Sequence, residues 1–162
     1  MNMSEGLFGL LAAASILLAL LLSIVDLPLQ YVWLRPELVC LVVLYWVLYT
    51  PQRIGLGVAW LVGLAQDVVE ASVWGAHALA LCLVAYIVQA SYQRLCAHSP
   101  WQQCFWVFVL VGIHQIFVNW MQGLEGFAGP ISFVMLPTII SALCWPLLVR
   151  MLHQLRGHYH LS

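Results

Sequence analysis

The chain has 162 residues, of which 64% are hydrophobic and only 7% charged, with a net charge of −1. A soluble domain of this size carries roughly 25% charged residues. The balance excludes an ordinary water-soluble fold, and the scattered arginines, with no lysine at all, exclude the dense basic footprint of a nucleic-acid binder.

About 20 apolar residues cross a bilayer core, and the sequence divides into runs of that order at 7–25, 36–50, 53–70, 74–93, 101–121 and 131–150. They predict a single all-α integral membrane domain over 1–162, a compact bundle of about six transmembrane helices with little mass outside the lipid. The first run follows Glu5 rather than a basic leader and is succeeded by Asp26-Leu27-Pro28, not a small-residue cleavage site. It reads as a retained crossing.

Arg35-Pro36-Glu37 opens the second run. Proline suits a first helical turn, and Glu37 suits the positive end of a helix dipole. Arg35 reads either as a snorkelling cation or as the partner of an acidic group such as Asp26, Asp67 or a neighbouring subunit. Pro51 leaves almost no spare chain between the second and third runs, which predicts a tight antiparallel hairpin.

In the third run Gly55, Ala59 and Gly63 recur every four residues, and Asp67 continues the stripe. Small residues at this spacing let another backbone approach closely, so the stripe is a candidate adhesive face. Asp67 is either an interface residue that ends the crossing or a carboxylate with a partner inside the membrane.

His77 lies in the fourth run, and His114, Gln115 and Asn119 in the fifth. Such groups bond between helices or relay protons. Pro137 and Pro146 interrupt the last run, where Thr138 or Ser141 can satisfy freed backbone groups. His153, His158 and His160 follow, without acidic or cysteine companions, and read as a solvated, headgroup-facing tail.

Arg53, Arg94, Arg150 and Arg156 fall on one side of a six-crossing layout, with Asp26, Asp67, Glu70 and Glu125 on or near the other; Arg35 is the exception. The positive-inside rule then puts both termini in the cytoplasm. Trp33, Trp74, Trp101 and Trp120 sit near span ends, as an aromatic belt requires, whereas Trp46, Trp60, Trp106 and Trp145 lie deeper. Five cysteines without a Cys-x-x-Cys pair read as small apolar side chains. No catalytic triad, metal motif or phosphate-cradling loop is present in the sequence, so no catalytic residue, metal or cofactor is expected.

The ordered set Arg35-Pro36, Leu44-Tyr45-Trp46, Pro51 with Arg53, Gly63 followed by Asp67, Gly75 after the acidic turn, and Trp101-Gln102-Gln103 resembles the bacterial rod shape-determining protein MreD family. The resemblance covers most of the chain. It implies a non-enzymatic inner-membrane component of the rod complex, or elongasome. Its partners would be MreC, the MreB filament, and RodA with its penicillin-binding transpeptidase. It also implies a fold like the substrate-binding subunit of energy-coupling-factor transporters. Two other readings stand beside it: a small-molecule-binding subunit with a polar pocket near Arg35, Asp67 and His77, and an intramembrane enzyme or proton-coupled carrier using Asp67 and His114. On the first reading, the partner-interface or helix-packing residues are Gly55, Ala59, Gly63, Asp67, Arg35, Pro36 and His114.

Overall fold

The structure is a computed structural model that describes residues 3–25, 35–126, 129–130 and 132–158. Asp26, Pro28, Trp33 and His160, and part of the Gly126 to Pro130 stretch, lie outside the described residues. The described residues are all-helical: α1 (Met3–Ile24), α2 (Leu38–Tyr49), α3 (Leu56–Val69), α4 (Ala76–Ala90), α5 (Tyr92–Cys96), α6 (Pro100–Leu124) and α7 (Ser132–His158).

α1, α6 and α7 each contain a stretch long and apolar enough to cross a membrane, whereas α2, α3 and α4 are shorter apolar helices of 12, 14 and 15 residues. At ~1.5 Å per residue the short ones extend only about 18–22 Å. α2 is the axis of the bundle. Every residue from Val39 to Leu48 is buried, the signature of a helix apolar on all sides. α1, α4 and α7 pack around it. Outward faces carry large apolar side chains in the open, among them Leu143 at 69% and Ile116 at 60% exposure. Contiguous exposure on this scale belongs against lipid.

The helix ends follow from local chemistry. α2 stops at Tyr49 because Thr50 precedes Pro51 and leaves the helical region, with φ −146 and ψ 56. The 50–54 turn reverses the chain, with the N–H groups of Arg53 and Ile54 both donating to the Thr50 carbonyl at 3.1 Å. The hairpin expected from Pro51 is nevertheless not a packed pair. α3 packs instead on α4 and α1, with Gly63 of its small-residue stripe against the backbone of α4 at His77 and Ala78. α2 itself begins at Leu38, so Pro36 precedes the N-cap Glu37 instead of sitting in the first turn.

α5 is an extra short helix that begins at the end of the fourth run and stops before the fifth. α6 opens with a capping box, the Ser99 N–H donating to Gln102 Oε1 at 3.1 Å, with Pro100 in the first turn. α7 continues through both internal prolines to His158, so the segment read as a solvated tail is helical as far as that residue. Thr138 Oγ1 donates back to the Val134 carbonyl at 2.6 Å, one turn earlier. Trp74, Trp101 and Trp120 are exposed, and Trp46 and Trp145 are buried in the core.

Candidate functional site

Asp67 is not at an exposed boundary. It is 2% exposed, and its carboxylate caps the N-terminus of the neighbouring helix α4. Oδ2 accepts the Gly75 N–H at 2.9 Å and the Ala78 N–H at 3.4 Å. Oδ1 accepts the His77 N–H at 3.0 Å and the Ser72 hydroxyl at 2.9 Å. His77 Nδ1 lies 2.9 Å from the same oxygen. An ionised carboxylate only accepts, which assigns the imidazole proton of the pair to Nδ1; the Ser72 hydroxyl lies 3.1 Å from the same nitrogen. The first amides of a helix have no partner within it, and the helix dipole is positive there, so a carboxylate from outside answers both demands.

Two turns make this possible. The end of α3 is a Schellman motif, with Ser72 N–H to Asp67 carbonyl at 3.1 Å and Ala71 N–H to Val68 carbonyl at 3.4 Å. Its left-handed position is filled by Ala71, at φ 48, where glycine is usual. Gly75, at φ 90, then turns the chain into α4. Between the two helices, Gly63 lies so close to α4 that a Cβ there would stand 2.3 Å from Ala78 Cα. Gly63 brings the backbones together; Asp67, one turn on, fastens them.

The clasp belongs to a wider polar layer. His77 Nε2 is 3.5 Å from Glu70, which accepts from Gln66 Nε2 at 3.1 Å. The His77 ring faces that of His114 in α6, with centroids 5.7 Å apart. Gln115, beside His114, donates to Glu37 Oε1 at 2.7 Å, and the Glu37 N–H donates to Ser141 Oγ in α7 at 2.8 Å. Asn119 Oδ1 accepts the Gly129 N–H at 3.0 Å. One layer thus ties α2, α3, α4, α6 and α7 together. His114 lies ten residues before the end of α6, Leu124, so the layer is recessed by about 15 Å below that end.

Arg35 does not pair with Asp67, one of the partners the sequence offered, and Asp26 lies outside the described residues. Its Nη2 donates to the Leu22 carbonyl at 3.2 Å, closing the C-terminal turn of α1, with no bond to Asp67 among the described residues. A cation suits that end of a helix. With Glu37, Gln66 and Glu70, Arg35 also lines a small polar cavity of ≈ 70 Å³. Gly55 is the N-cap of α3 and lies against Gln89 of α4; Ala59 and Gly63 are buried on the same side. The stripe read as a candidate adhesive face is therefore covered by α4 of the same chain. His114, read as an inter-helix bonding residue, is 1% exposed, and neither ring nitrogen has a hydrogen-bond partner among the described residues. The Gln66 Oε1 atom is in the same position.

Gln103 is a junction that the sequence reading missed. Buried at the opposite end, it donates to the Leu95 and His98 carbonyls at 3.0 and 3.1 Å and accepts from Trp145 Nε1 at 3.0 Å and Tyr49 at 3.3 Å. Beside it the Tyr45 hydroxyl lies 3.0 Å from His153 Nδ1. The signal available in the sequence was a glutamine four residues past a serine cap, on the apolar face of α6.

A family model described as rod shape-determining protein MreD matches residues 4–155. The chain belongs to the MreD family. It is 29% identical over 151 residues, 86% of each chain, to the rod shape-determining protein MreD of Haemophilus influenzae (strain ATCC 51907 / DSM 11121 / KW20 / Rd). No solved structure matches it. Several elements of the family resemblance now have a physical role in this MreD-family chain: Gly63 and Asp67 join α3 to α4, Gly75 starts α4, and Gln102 and Gln103 set the start of α6.

Proposed function

We propose that this chain is a non-enzymatic inner-membrane component of the rod complex, acting on rod cell shape by associating with MreC and other members and thereby positioning lateral peptidoglycan synthesis. MreB filaments, RodA and its penicillin-binding transpeptidase are the further partners of this reading. The observation that carries it is membership of the rod shape-determining family over residues 4–155. The polar layer supports it. Asp67, Glu37 and Glu70 are engaged with amides, side-chain donors and His77 of their own bundle. They hold helices in place rather than face an open cleft.

The orientation follows from charge. Arg53, Arg94 and Arg150 lie toward the end occupied by Gln103, and the acidic layer lies toward the other; the positive-inside rule puts the arginine end in the cytoplasm. With the 55/59/63 face covered, partners meet outward faces such as Ile116 and Trp120 of α6 or Leu143 and Leu147 of α7.

The test is site-specific photocrosslinking from Ile116, Trp120, Leu143 and Leu147 in membranes of cells making the full chain. Capture of a rod-complex protein from one of these faces is the expected result. Capture only from positions in the polar layer, or of no rod-complex protein at matched expression, refutes the reading.

A second reading, a small-molecule-binding subunit of a vitamin-type transporter, is favoured by the cavity beside Arg35, Glu37, Gln66 and Glu70. Its volume of ≈ 70 Å³ suits a few water molecules and lies well below the ~300–1,000 Å³ of ligand pockets. Mass spectrometry of the purified protein decides it: a stoichiometric retained metabolite would put this reading first.

A further inference from the structure

His77 stands between two carboxylates of the polar layer. Its Nδ1 lies 2.9 Å from Asp67 Oδ1, and its Nε2 lies 3.5 Å from Glu70 Oε2. Asp67 is committed to donors: besides the ring it accepts the Gly75, His77 and Ala78 amides and the Ser72 hydroxyl. It is therefore the ionised partner, and Nδ1 carries a proton. Nε2 is the nitrogen left over. The Glu70 oxygen that faces it is Oε2; the other, Oε1, accepts from Gln66 Nε2 at 3.1 Å. A neutral ring would set the Nε2 lone pair against an ionised carboxylate, two acceptors with nothing between them. A second ring proton makes the contact an ion pair, and 3.5 Å is long for a neutral hydrogen bond but within ion-pair range. Imidazole is a stronger base than a carboxylate, so that proton rests on the ring. Charge points the same way. With a neutral ring, Asp67 and Glu70 place two negative charges in the layer. With an imidazolium the three groups keep one, and it lies on the amides at the positive end of α4.

We propose that His77 is a proton-binding site, a buried imidazolium held between Asp67 and Glu70, whose Nε2 proton exchanges with water through Glu70. Two observations give the proton a route. The His77 side chain is 6% exposed and that of Glu70 28%, so Glu70 joins the buried ring to the outside. Glu70 also lines the polar cavity of ≈ 70 Å³ with Arg35, Glu37 and Gln66, which has room for a few water molecules. Gln66 is 1% exposed, and its Oε1 has no hydrogen-bond partner among the described residues. Since Gln66 Nε2 is given to Glu70, that oxygen is a buried acceptor that a cavity water can satisfy.

On release the Nε2–H bond breaks and an O–H bond forms at Glu70 Oε2. Glu70 then passes the proton to a water molecule and is ionised again. The ring is left neutral, with its Nδ1 proton still on Asp67. Nε2 and Oε2 now face each other as two acceptors, so Glu70 turns toward water and one of the two carboxylate ties between α4 and the end of α3 is lost. The charged and titratable groups around the site are Asp67 and Glu70 at the end of α3, Arg35 and Glu37 just before α2, and His114 of α6, whose ring lies 5.7 Å from that of His77. The α3–α4 junction thereby reads pH at this end of the bundle.

The experiment is nitrogen-15 NMR of the full chain in lipid nanodiscs, with the histidine rings labelled and His77 assigned through its own backbone signals. At neutral pH both ring nitrogens of His77 are expected to carry protons, and the Nε2 proton to exchange with water faster than the Nδ1 proton. Raising the pH should strip Nε2 first and leave Nδ1 protonated. Glu70→Gln keeps the size of the side chain and can offer an amide N–H to a bare Nε2. In that variant the Nε2 signal is expected to move to the position of an unprotonated nitrogen at neutral pH, with helix content by circular dichroism unchanged. A neutral His77 ring in the wild-type chain at neutral pH overturns the proposal, whatever the variant does. So does an Nε2 proton that survives Glu70→Gln, an Nε2 proton that does not exchange with water, or loss of the Nδ1 proton before the Nε2 proton.

Discussion

The close approach of α3 and α4 at Gly63 makes a sharp prediction for Gly63→Ala. The added Cβ would stand 2.3 Å from Ala78 Cα, 2.6 Å from Ala78 N and 2.8 Å from the His77 carbonyl carbon. These are backbone atoms, so no side-chain rotation relieves the clash. Carbon atoms in contact settle about 3.5–4.0 Å apart, so α4 must retreat by roughly 1.2 Å or more. The Asp67 bonds to the amides of His77 and Ala78, at 3.0 and 3.4 Å, do not survive such a retreat. Overpacking alone costs about 1–3 kcal/mol, and loss of a helix cap a further ~0.5–2 kcal/mol. One methyl group is therefore expected to destabilise the bundle by about 1.5–5 kcal/mol.

The assay is equilibrium unfolding in mixed detergent micelles, followed by far-ultraviolet circular dichroism. Gly57→Ala is the matched control. Gly57 is one residue inside the same helix, with nothing within 4 Å of its would-be Cβ, so its substitution should change stability by less than about 0.5 kcal/mol. If Gly63→Ala unfolds with the wild-type chain, α3 and α4 are not held at this distance and the clasp as described is wrong.

Three further outcomes follow from the same geometry. Ala71→Gly is expected to raise the thermal midpoint, because Ala71 holds φ 48 and a left-handed non-glycine residue costs ~1–2 kcal/mol; an unchanged or lower midpoint would count against the Schellman turn. Gln103→Leu takes a donor from the Leu95 and His98 carbonyls and leaves the buried Trp145 N–H without its acceptor, which at ~1–3 kcal/mol for a buried group left unpaired should lower the midpoint and increase proteolysis near Cys96. His114→Phe removes two buried ring nitrogens that have no partner among the described residues and is expected to stabilise by about 1–2 kcal/mol. If His114→Phe instead destabilises the chain, the ring is hydrogen-bonded within the membrane.

Apolar run lengths carried the helical membrane architecture, because a helix in lipid must satisfy its backbone within itself and so writes its length into the sequence. The shorter α2, α3 and α4 end within three residues of the apolar runs read at 36–50, 53–70 and 74–93. What the sequence did not show is the contacts that fix those ends: Thr50 before Pro51, the left-handed Ala71 and the carboxylate of Asp67. The stripe at Gly55, Ala59 and Gly63 announced a close approach, yet a row of small residues does not say whose backbone approaches. α4 of the same chain is the answer, and Gly63 against Ala78 is the contact that gives it. His77 and Asp67 were grouped only as lining of one polar pocket; their direct bonding was not legible, since the two are joined by a turn whose shape depends on one alanine at positive φ. Arg35 read as a snorkelling cation or as the partner of an acidic group, and the sequence did not show that it also reaches the Leu22 carbonyl at the end of α1.

The same geometry separates two kinds of loss that would look alike as a change in cell shape. Asp67, Gly63 and Gln103 hold helix ends together inside the chain, so their substitution acts through the fold. A round-cell phenotype from Asp67→Ala should therefore come with less protein in the membrane, and raising expression should restore part of the shape. Residues on the outward faces, such as Ile116 or Leu143, support no internal contact of that kind and are 60% and 69% exposed. Polar substitution there would disturb insertion, but exchange for another large apolar residue leaves the lipid-facing character intact and alters only shape complementarity. Normal membrane levels with lost rod shape from such an exchange locate a partner's contact. Normal levels with lost shape from Asp67→Asn would instead give the polar layer a role beyond joining helices.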